Sequence, residues 1–499
     1  MTGSSPESAS AVGEICYLSA IELAAKLRSG ELSASEALEA AVARVEARNP
    51  EINAVVTLDL ERARAAASAV DSARIDAKRD ADLGPLAGVP ITIKDSLMVD
   101  GVKTTSGAPE LADYVAEADA ASVAGLKAAG AVVFGKTNLP LYAGDVQSFN
   151  EVFGTSNNPW DIDRSPGGSS GGSAAALAAG FTPLEIGSDI AGSIRNPAAM
   201  CGVVGHKPSY GIVPGRGQIP GPPGTLTQAD IAVIGPMART VNDCELGLDL
   251  MSGPDTWHAE AWSLSLPAAR KTDPKGLRVA VWATDDYCPV DPEIQQAILA
   301  TADRLAESGA VVDTDVRPEG MDFAKVDQTF LSLLGGAMAG GYSRSEIQEM
   351  SEQIKASGGA PLPGGLGIEG ATIGHREWLT NNERRLQMRR RWRDFFGQWD
   401  ILLAPISPTV AIPHDHSSPM SSRQIMVAGQ PRPYTDQMRW VGLFGVVYLP
   451  ATAVPIGTHS SGLPMALQAV GPYLEDRTCL SVARMIEESG GGFSRPPGW

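Results

Sequence analysis

From residue 89 onward, short apolar runs alternate with stretches of helical period, and this alternation limits the chain to an α/β fold. Residues 89–94, 131–134, 277–282, 310–312, 400–404 and 451–455 read as strands, and 120–129, 170–179, 292–308 and 475–488 as helices. The order predicts one large domain, a mixed and largely parallel β-sheet with helices on both faces. Ahead of it, Ser19-Ala20-Ile21-Glu22 and Ser33-Ala34-Ser35-Glu36 fit the capping box, in which serine and glutamate satisfy free amides at a helix start. Gly30 is expected to end the first of these helices and Asn49-Pro50 the second, followed by a strand over 54–57 and a helix from Asp59. The domain is expected to span 17–490, between an N-terminal tail (1–16) and a C-terminal tail (491–499). Two loops rich in small residues, 214–224 and 357–370, are each a lid or a connector.

Composition narrows the function. Hydrophobic residues make up 43% and charged residues 20%, a globular balance. The net charge of −18 is spread along the chain; it favours solubility and repels phosphate backbones, so no nucleic-acid partner is expected. The five cysteines are far apart and form no CxxC pair, which argues against a disulfide framework or zinc knuckle and for a reducing, cytoplasmic compartment. Residues 1–13 carry neither a basic residue nor an apolar run, so no signal peptide is expected, and no stretch approaches the roughly 18 apolar residues of a membrane span.

Residues 167–173, Gly-Gly-Ser-Ser-Gly-Gly-Ser, lead straight into an alanine-rich helix. A flexible linker would not be followed at once by a buried helix, and the lysine of a phosphate-binding loop is missing. Gly167-Gly168-Ser169-Ser170-Gly171 formally matches the nucleophile elbow G-x-S-x-G, but that elbow must follow a hydrophobic strand. Residues 157–166 are polar and hold two prolines, so no strand enters the turn. A catalytic loop of another kind remains. Further on, Gly187-Ser188-Asp189-Ile190-Ala191-Gly192-Ser193-Ile194-Arg195 places small residues before a serine, where backbone amides can converge on an oxyanion. Asp189 and Arg195 flank that serine, either bracing the loop by a charge-assisted bond or forming an incidental ion pair in a tight turn. Lys94 ends the apolar strand of Gly88-Val89-Pro90-Ile91-Thr92-Ile93-Lys94. An isolated lysine there ordinarily reaches solvent; a buried one loses its proton more easily and becomes a general base.

Together these three segments resemble the amidase signature family, and further familial segments extend the resemblance over roughly residues 17–490: Gly135-Lys136-Thr137-Asn138, 154–159, Lys207-Pro208-Ser209 and Gly462-Leu463-Pro464. The resemblance implies a Ser-cisSer-Lys triad of Ser193 (nucleophile), Ser169 (relay) and Lys94 (base), with a cis peptide between Gly168 and Ser169. It implies an oxyanion hole from the amides of Ile190, Ala191, Gly192 and Ser193, support from Gly168, Ser170, Asp189 and Arg195, and no metal or cofactor. The turn departs from the commoner family form, Gly-Gly before the serine, by placing Ala191 where backbone and substrate approach closely; a positive φ there would strain alanine.

The reaction implied is hydrolysis of carboxamide C–N bonds through an acyl-enzyme, on apolar or aryl amides, with esters and carbamates (urethanes) also reachable. The partner expected is a small-molecule amide, met by a monomer or homodimer without nucleic acid or membrane. Residues 438–449, with Trp440, Phe444 and Tyr448, are a candidate apolar pocket. Two alternatives stand. One is the glutamine-hydrolysing subunit of an amidotransferase that works on glutamyl-tRNA, whose glutamine-binding signature is not found in the C-terminal half. The other is a non-catalytic binding protein that kept the fold. His206 and the His414-Asp415-His416 pattern lack a third metal ligand. Cys201 reads as packing, and the arginines 384–385 and 389–391 as surface ion pairs on a helix.

Overall fold

The capping boxes at Ser19 and Ser33 both form, opening α1 (Ala20–Ser29) and α2 (Ala34–Ile52) in the structure, a computed structural model that describes residues 13–76, 83–219, 222–357 and 368–499. Gly30 closes α1 in a left-handed conformation. α2 runs past the expected stop at Asn49-Pro50, because a proline in the last turn forfeits only one helical bond. The chain turns at Asn53 instead, and the Asn49 side chain accepts the amides of Ala54 and Val55 at 2.8 and 2.9 Å.

Two sheets carry the fold. The smaller has the order β1-β3-β2, with β1 Val55–Leu58, β2 Pro90–Lys94 and β3 Val132–Thr137; β2 and β3 are parallel. The larger contains β4 (Leu184–Asp189), β5 (Val204–Lys207), β6 (Val233–Ala238), β7 (Arg278–Val281), β8 (Val311–Asp313), β9 (Ile401–Pro405), β10 (Ala451–Thr458) and β11 (Pro464–Val470), in the order β8-β7-β9-β11-β10-β5-β6-β4. The sheet is mixed, as expected, but its parallel character is confined to β8/β7 and β7/β9; every other pairing in it is antiparallel. The physical reason lies in β4, β5, β6 and β11, strands that the apolar-run pattern did not reveal. β10 and β11 form a hairpin closed by the His459 amide on the Leu463 carbonyl, and a short connection can only join antiparallel neighbours.

Helices α3 (Gly171–Ala178), α4 (Arg195–Cys201), α5 (Val241–Met251), α6 (Pro292–Glu307) and, beyond the long α7 (Phe323–Met338) and α8 (His375–Gln398), α9 (Asp476–Glu488) cover the strands in one continuous apolar core. α3 is buried along its whole length; glycine, serine and alanine dominate it because little else fits so close to the strands. Residues 491–499 are no free tail. The Trp499 ring lies 3.9 Å from the Arg48 guanidinium, and Phe493 stacks on Tyr17. Most of the N-terminal tail (1–12) and most of the loop 357–370 fall outside the described residues, as do two residues of the loop 214–224. Among the described residues, no helix is long and apolar enough to cross a membrane.

Candidate active site

The strand β2 delivers Lys94 into the interior, where its side chain is fully buried. The Nζ atom donates to three hydroxyls: Ser169 Oγ at 2.7 Å, Ser170 Oγ at 2.9 Å and Ser188 Oγ at 3.0 Å. An ammonium has three protons to give, and three serines take them. Burial draws its pKa down to about 7, against the opposing pull of the Asp189 and Glu185 charges. Lys94 therefore exchanges a proton near neutrality.

Ser169 and Ser170 end the loop that enters α3. The Gly168–Ser169 peptide is cis, as the resemblance implied. A Cβ on Gly168 would lie 2.7 Å from the backbone of Val146 and Gln147, so only glycine fits. Ser148 Oγ donates to the Gly167 carbonyl at 3.0 Å and accepts the Gly171 amide at 3.1 Å, pinning both sides of the loop.

Ser193 lies between β4 and α4, and its carbonyl accepts the Ser170 amide at 3.1 Å, which ties the two serine loops together. Asp189 organises the turn. Its carboxylate accepts the amides of Gly192 at 2.8 Å and Ile194 at 3.2 Å, and the Arg195 Nε and Nη2 at 3.0 and 2.9 Å. Both members of the pair are fully buried. Burial raises the Asp189 pKa, but the Arg195 charge and these bonds outweigh it and hold the carboxyl at about 2. Arg195 also reaches the Val441 carbonyl and Gln468 Oε1, each at 3.0 Å. The Asp189–Arg195 contact is thus a built brace rather than an incidental pair.

One expected oxyanion donor is corrected by this geometry. The Gly192 amide is committed to Asp189, so it serves the turn and not the cleft. Among the described residues, the amides of Ile190, Ala191 and Ser193 carry no such commitment. The concern over Ala191 is also resolved. The left-handed residue of the turn is Gly192, at φ 99°, and Ala191 has no positive φ.

Sequence reasoning missed Ser188, although it stands inside the quoted Gly187-Ser188-Asp189 segment. It also missed Gln468, for which no local signal exists. Of the other candidates, His206 is buried between Thr452 and Asp476, at 2.9 and 3.1 Å. The His416 ring stacks on Phe149 at 3.8 Å, and among the described residues no group of three or more acidic, histidine or cysteine side chains is placed to hold a metal. Cys201 is buried, which pushes its thiol pKa far up. Trp440 and Phe444 are spent in the core, Trp440 against Trp282 and Phe323 and Phe444 against Trp392, so they open no pocket. The arginine run is not all surface. Arg385 is buried on Asp230 at 2.8 Å, and Arg389 lies over the rings of Tyr448 and Tyr473.

Comparison with known proteins agrees with this arrangement. The Amidase family profile matches residues 36–480. A glutamyl-tRNA(Gln) amidotransferase subunit of Moorella thermoacetica is 34% identical over 494 residues, 95% of this chain and 97% of its own. The structure of 6-aminohexanoate cyclic dimer hydrolase superposes with a TM-score of 0.75 at 29% identity, over 97% of this chain and 99% of that one. A bacterial aryl acylamidase of the amidase signature family gives 0.79 at 25% identity, over 95% and 97%. The chain belongs to the amidase signature family, enzymes that act on C–N amide bonds.

Proposed function

We propose that this chain, as one catalytic unit spanning 17–490, hydrolyses carboxamides through an acyl-enzyme on Ser193. The observation that carries the reading is the Lys94 amine, buried without a salt-bridged carboxylate among the described residues and 2.7 Å from Ser169 Oγ. Neutral Lys94 takes the Ser169 proton while Ser169 takes that of Ser193, whose Oγ attacks the carbonyl carbon. The oxyanion is held by the amides of Ile190, Ala191 and Ser193. Collapse of the tetrahedral adduct breaks the C–N bond, and the leaving nitrogen receives the proton back along the relay. Water then attacks the acyl ester by the same route, releasing the carboxylic acid and regenerating Ser193.

We assign the substrate as a small neutral amide with an apolar or aryl acyl group, with carbamates and esters reachable by the same attack, and the enzyme as a cytoplasmic monomer or homodimer. The pairing of Asp189 with Arg195 beneath Ser193 supports neutrality, because both charges of the turn are already spent on each other. Free glutamine would need unpaired charges for its ammonium and carboxylate. A second reading, a glutamine-hydrolysing subunit working in a protein complex, is favoured by the 34% identity to the Moorella thermoacetica amidotransferase subunit over nearly the full length of both chains.

The test uses the purified chain alone, with a fluorophosphonate probe and a panel of aliphatic amides, anilides, carbamates and glutamine. Labelling that disappears in Ser193→Ala, with turnover of neutral amides and none of glutamine, is expected. Glutamine hydrolysis would favour the second reading, and a wild type that, alone, neither labels nor turns over would overturn the proposal of a self-sufficient amidase.

A further inference from the structure

Beneath the Lys94 cluster lies Glu185, a carboxyl with no exposure to solvent and no role in the relay just described. It stands on β4, the strand that runs on through Ser188 and Asp189 towards Ser193. Its Oε1 accepts the Thr92 hydroxyl at 2.6 Å, and Thr92 stands on β2 two residues before Lys94, on the same side of that strand. Its Oε2 accepts the Ile186 amide at 3.1 Å. The hydroxyls of Thr137 of β3 and Ser173 of α3, 2.9 Å from each other, favour its charged form. One buried carboxyl therefore joins the strand that carries Lys94, the helix that begins after Ser169 and Ser170, and the strand that leads into the Ser193 turn.

A glutamine can keep the Ile186 amide on its oxygen, with the Thr92 hydroxyl turned to accept from its NH2. What a carboxylate adds is charge, and charge in a dry interior acts on the neighbouring cation. We infer that Glu185 is a positioning residue that acts through Lys94, its charge setting the pH at which the relay lysine gives up its proton. The inference rests on the proposed role of Lys94 as base.

The surroundings leave few other groups to do this. Asp95, just past β2, is paired with Lys136 of β3 at 3.3 Å, and Asp189 of β4, the other carboxylate whose charge acts on Lys94, is tied to Arg195 at 2.9 Å. Lys207 of β5 acts on Asp189 and Arg195 from beyond them. Glu185 is the carboxyl near Lys94 that has no arginine or lysine in salt-bridge contact among the described residues. Burial pushes its own pKa up to about 7, so its charge appears over the same pH range in which Lys94 titrates. Lys94 therefore keeps its proton to a higher pH than burial alone would allow.

The experiment is the pH profile of kcat/KM for the wild type, Glu185→Gln, Thr92→Val and Thr92→Ser, with Lys94→Ala and Ser193→Ala as controls. Glu185→Gln should move the acid limb down by about one pH unit, the low end of what a neighbouring opposite charge contributes. Its high-pH plateau should stay within roughly tenfold of wild type, Ser169, Ser170 and Ser188 remaining in reach of Lys94. Thr92→Val, which removes a donor that favours the charged carboxylate, should shift the limb the same way by less, and Thr92→Ser should restore the wild-type profile. If Glu185→Gln does not fold, Thr92→Val and Thr92→Ser decide. An unmoved limb in the variants, with both controls inactive, overturns the inference and leaves the relay standing. Activity in Lys94→Ala would instead remove the proposed base, and the inference with it.

Discussion

Asp189→Asn probes the brace beneath the nucleophile. The wild-type carboxylate accepts from Gly192, Ile194, the Arg195 amide and two guanidinium nitrogens at 2.8–3.4 Å, with no solvent to share the load. Asparagine is nearly the same shape but offers one acceptor oxygen and an NH2 group. If its oxygen keeps the Gly192 amide, its NH2 must face the Arg195 donors, and the guanidinium is left buried without a counter-charge. Removing one partner of such a pair costs about 3–5 kcal/mol. At about 1.4 kcal/mol per factor of ten, the folding equilibrium falls by roughly a thousandfold. The turn that presents Ile190, Ala191 and Ser193 loosens as well, so kcat/KM should drop by about 10²–10³, the usual effect of losing an oxyanion donor. Urea unfolding and steady-state kinetics measure the two losses separately. Asp189→Asn combined with Arg195→Met removes the orphaned charge and should recover most of the stability without the rate. The reasoning is refuted if Asp189→Asn alone unfolds within about 1 kcal/mol of wild type with kcat/KM within tenfold, or if the double variant restores the rate.

Two further outcomes are expected. With the Lys94 pKa lowered to about 7, the neutral base accumulates as pH rises, so kcat/KM should climb through pH 7 and then level; Lys94→Ala should lose about 10²–10⁴ in rate together with that limb, and a limb that survives the substitution would assign it elsewhere. At Gly192, a Cβ would lie 2.6 Å from Val441 Cγ2 and 2.7 Å from Asn196 Nδ2 in a residue at φ 99°; Gly192→Ala should cost at least about 10²-fold in kcat/KM, whereas Ala191→Gly should stay within roughly fivefold, and equal effects at the two positions would contradict the turn described.

Much of the site was legible because its demands are local. A capping box, a glycine loop without an entering strand, and small residues before a serine are requirements that neighbouring residues impose on one another. Lys94 was different. Nothing in its strand separates a buried base from a lysine that reaches solvent, and only the resemblance to the family singled it out. The arginine run on α8 illustrates the same gap. Arg385 looks like any helix-surface cation, yet it is buried on Asp230, a residue far away in the chain.

What the amino-acid order determined by itself was the α/β class, the helix starts at Ser19 and Ser33, and the two serine loops, all set by interactions within a few residues. The tertiary structure alone decided that the large sheet is mostly antiparallel, that the Gly192 amide is spent on Asp189, that Ser188 meets Lys94, and that Glu185 meets Thr92 on the strand that carries Lys94. Each of those outcomes depends on groups brought together across the fold. Hydrogen bonds and buried charges act over a few ångströms of space, and sequence spacing does not reveal which distant residues will share them.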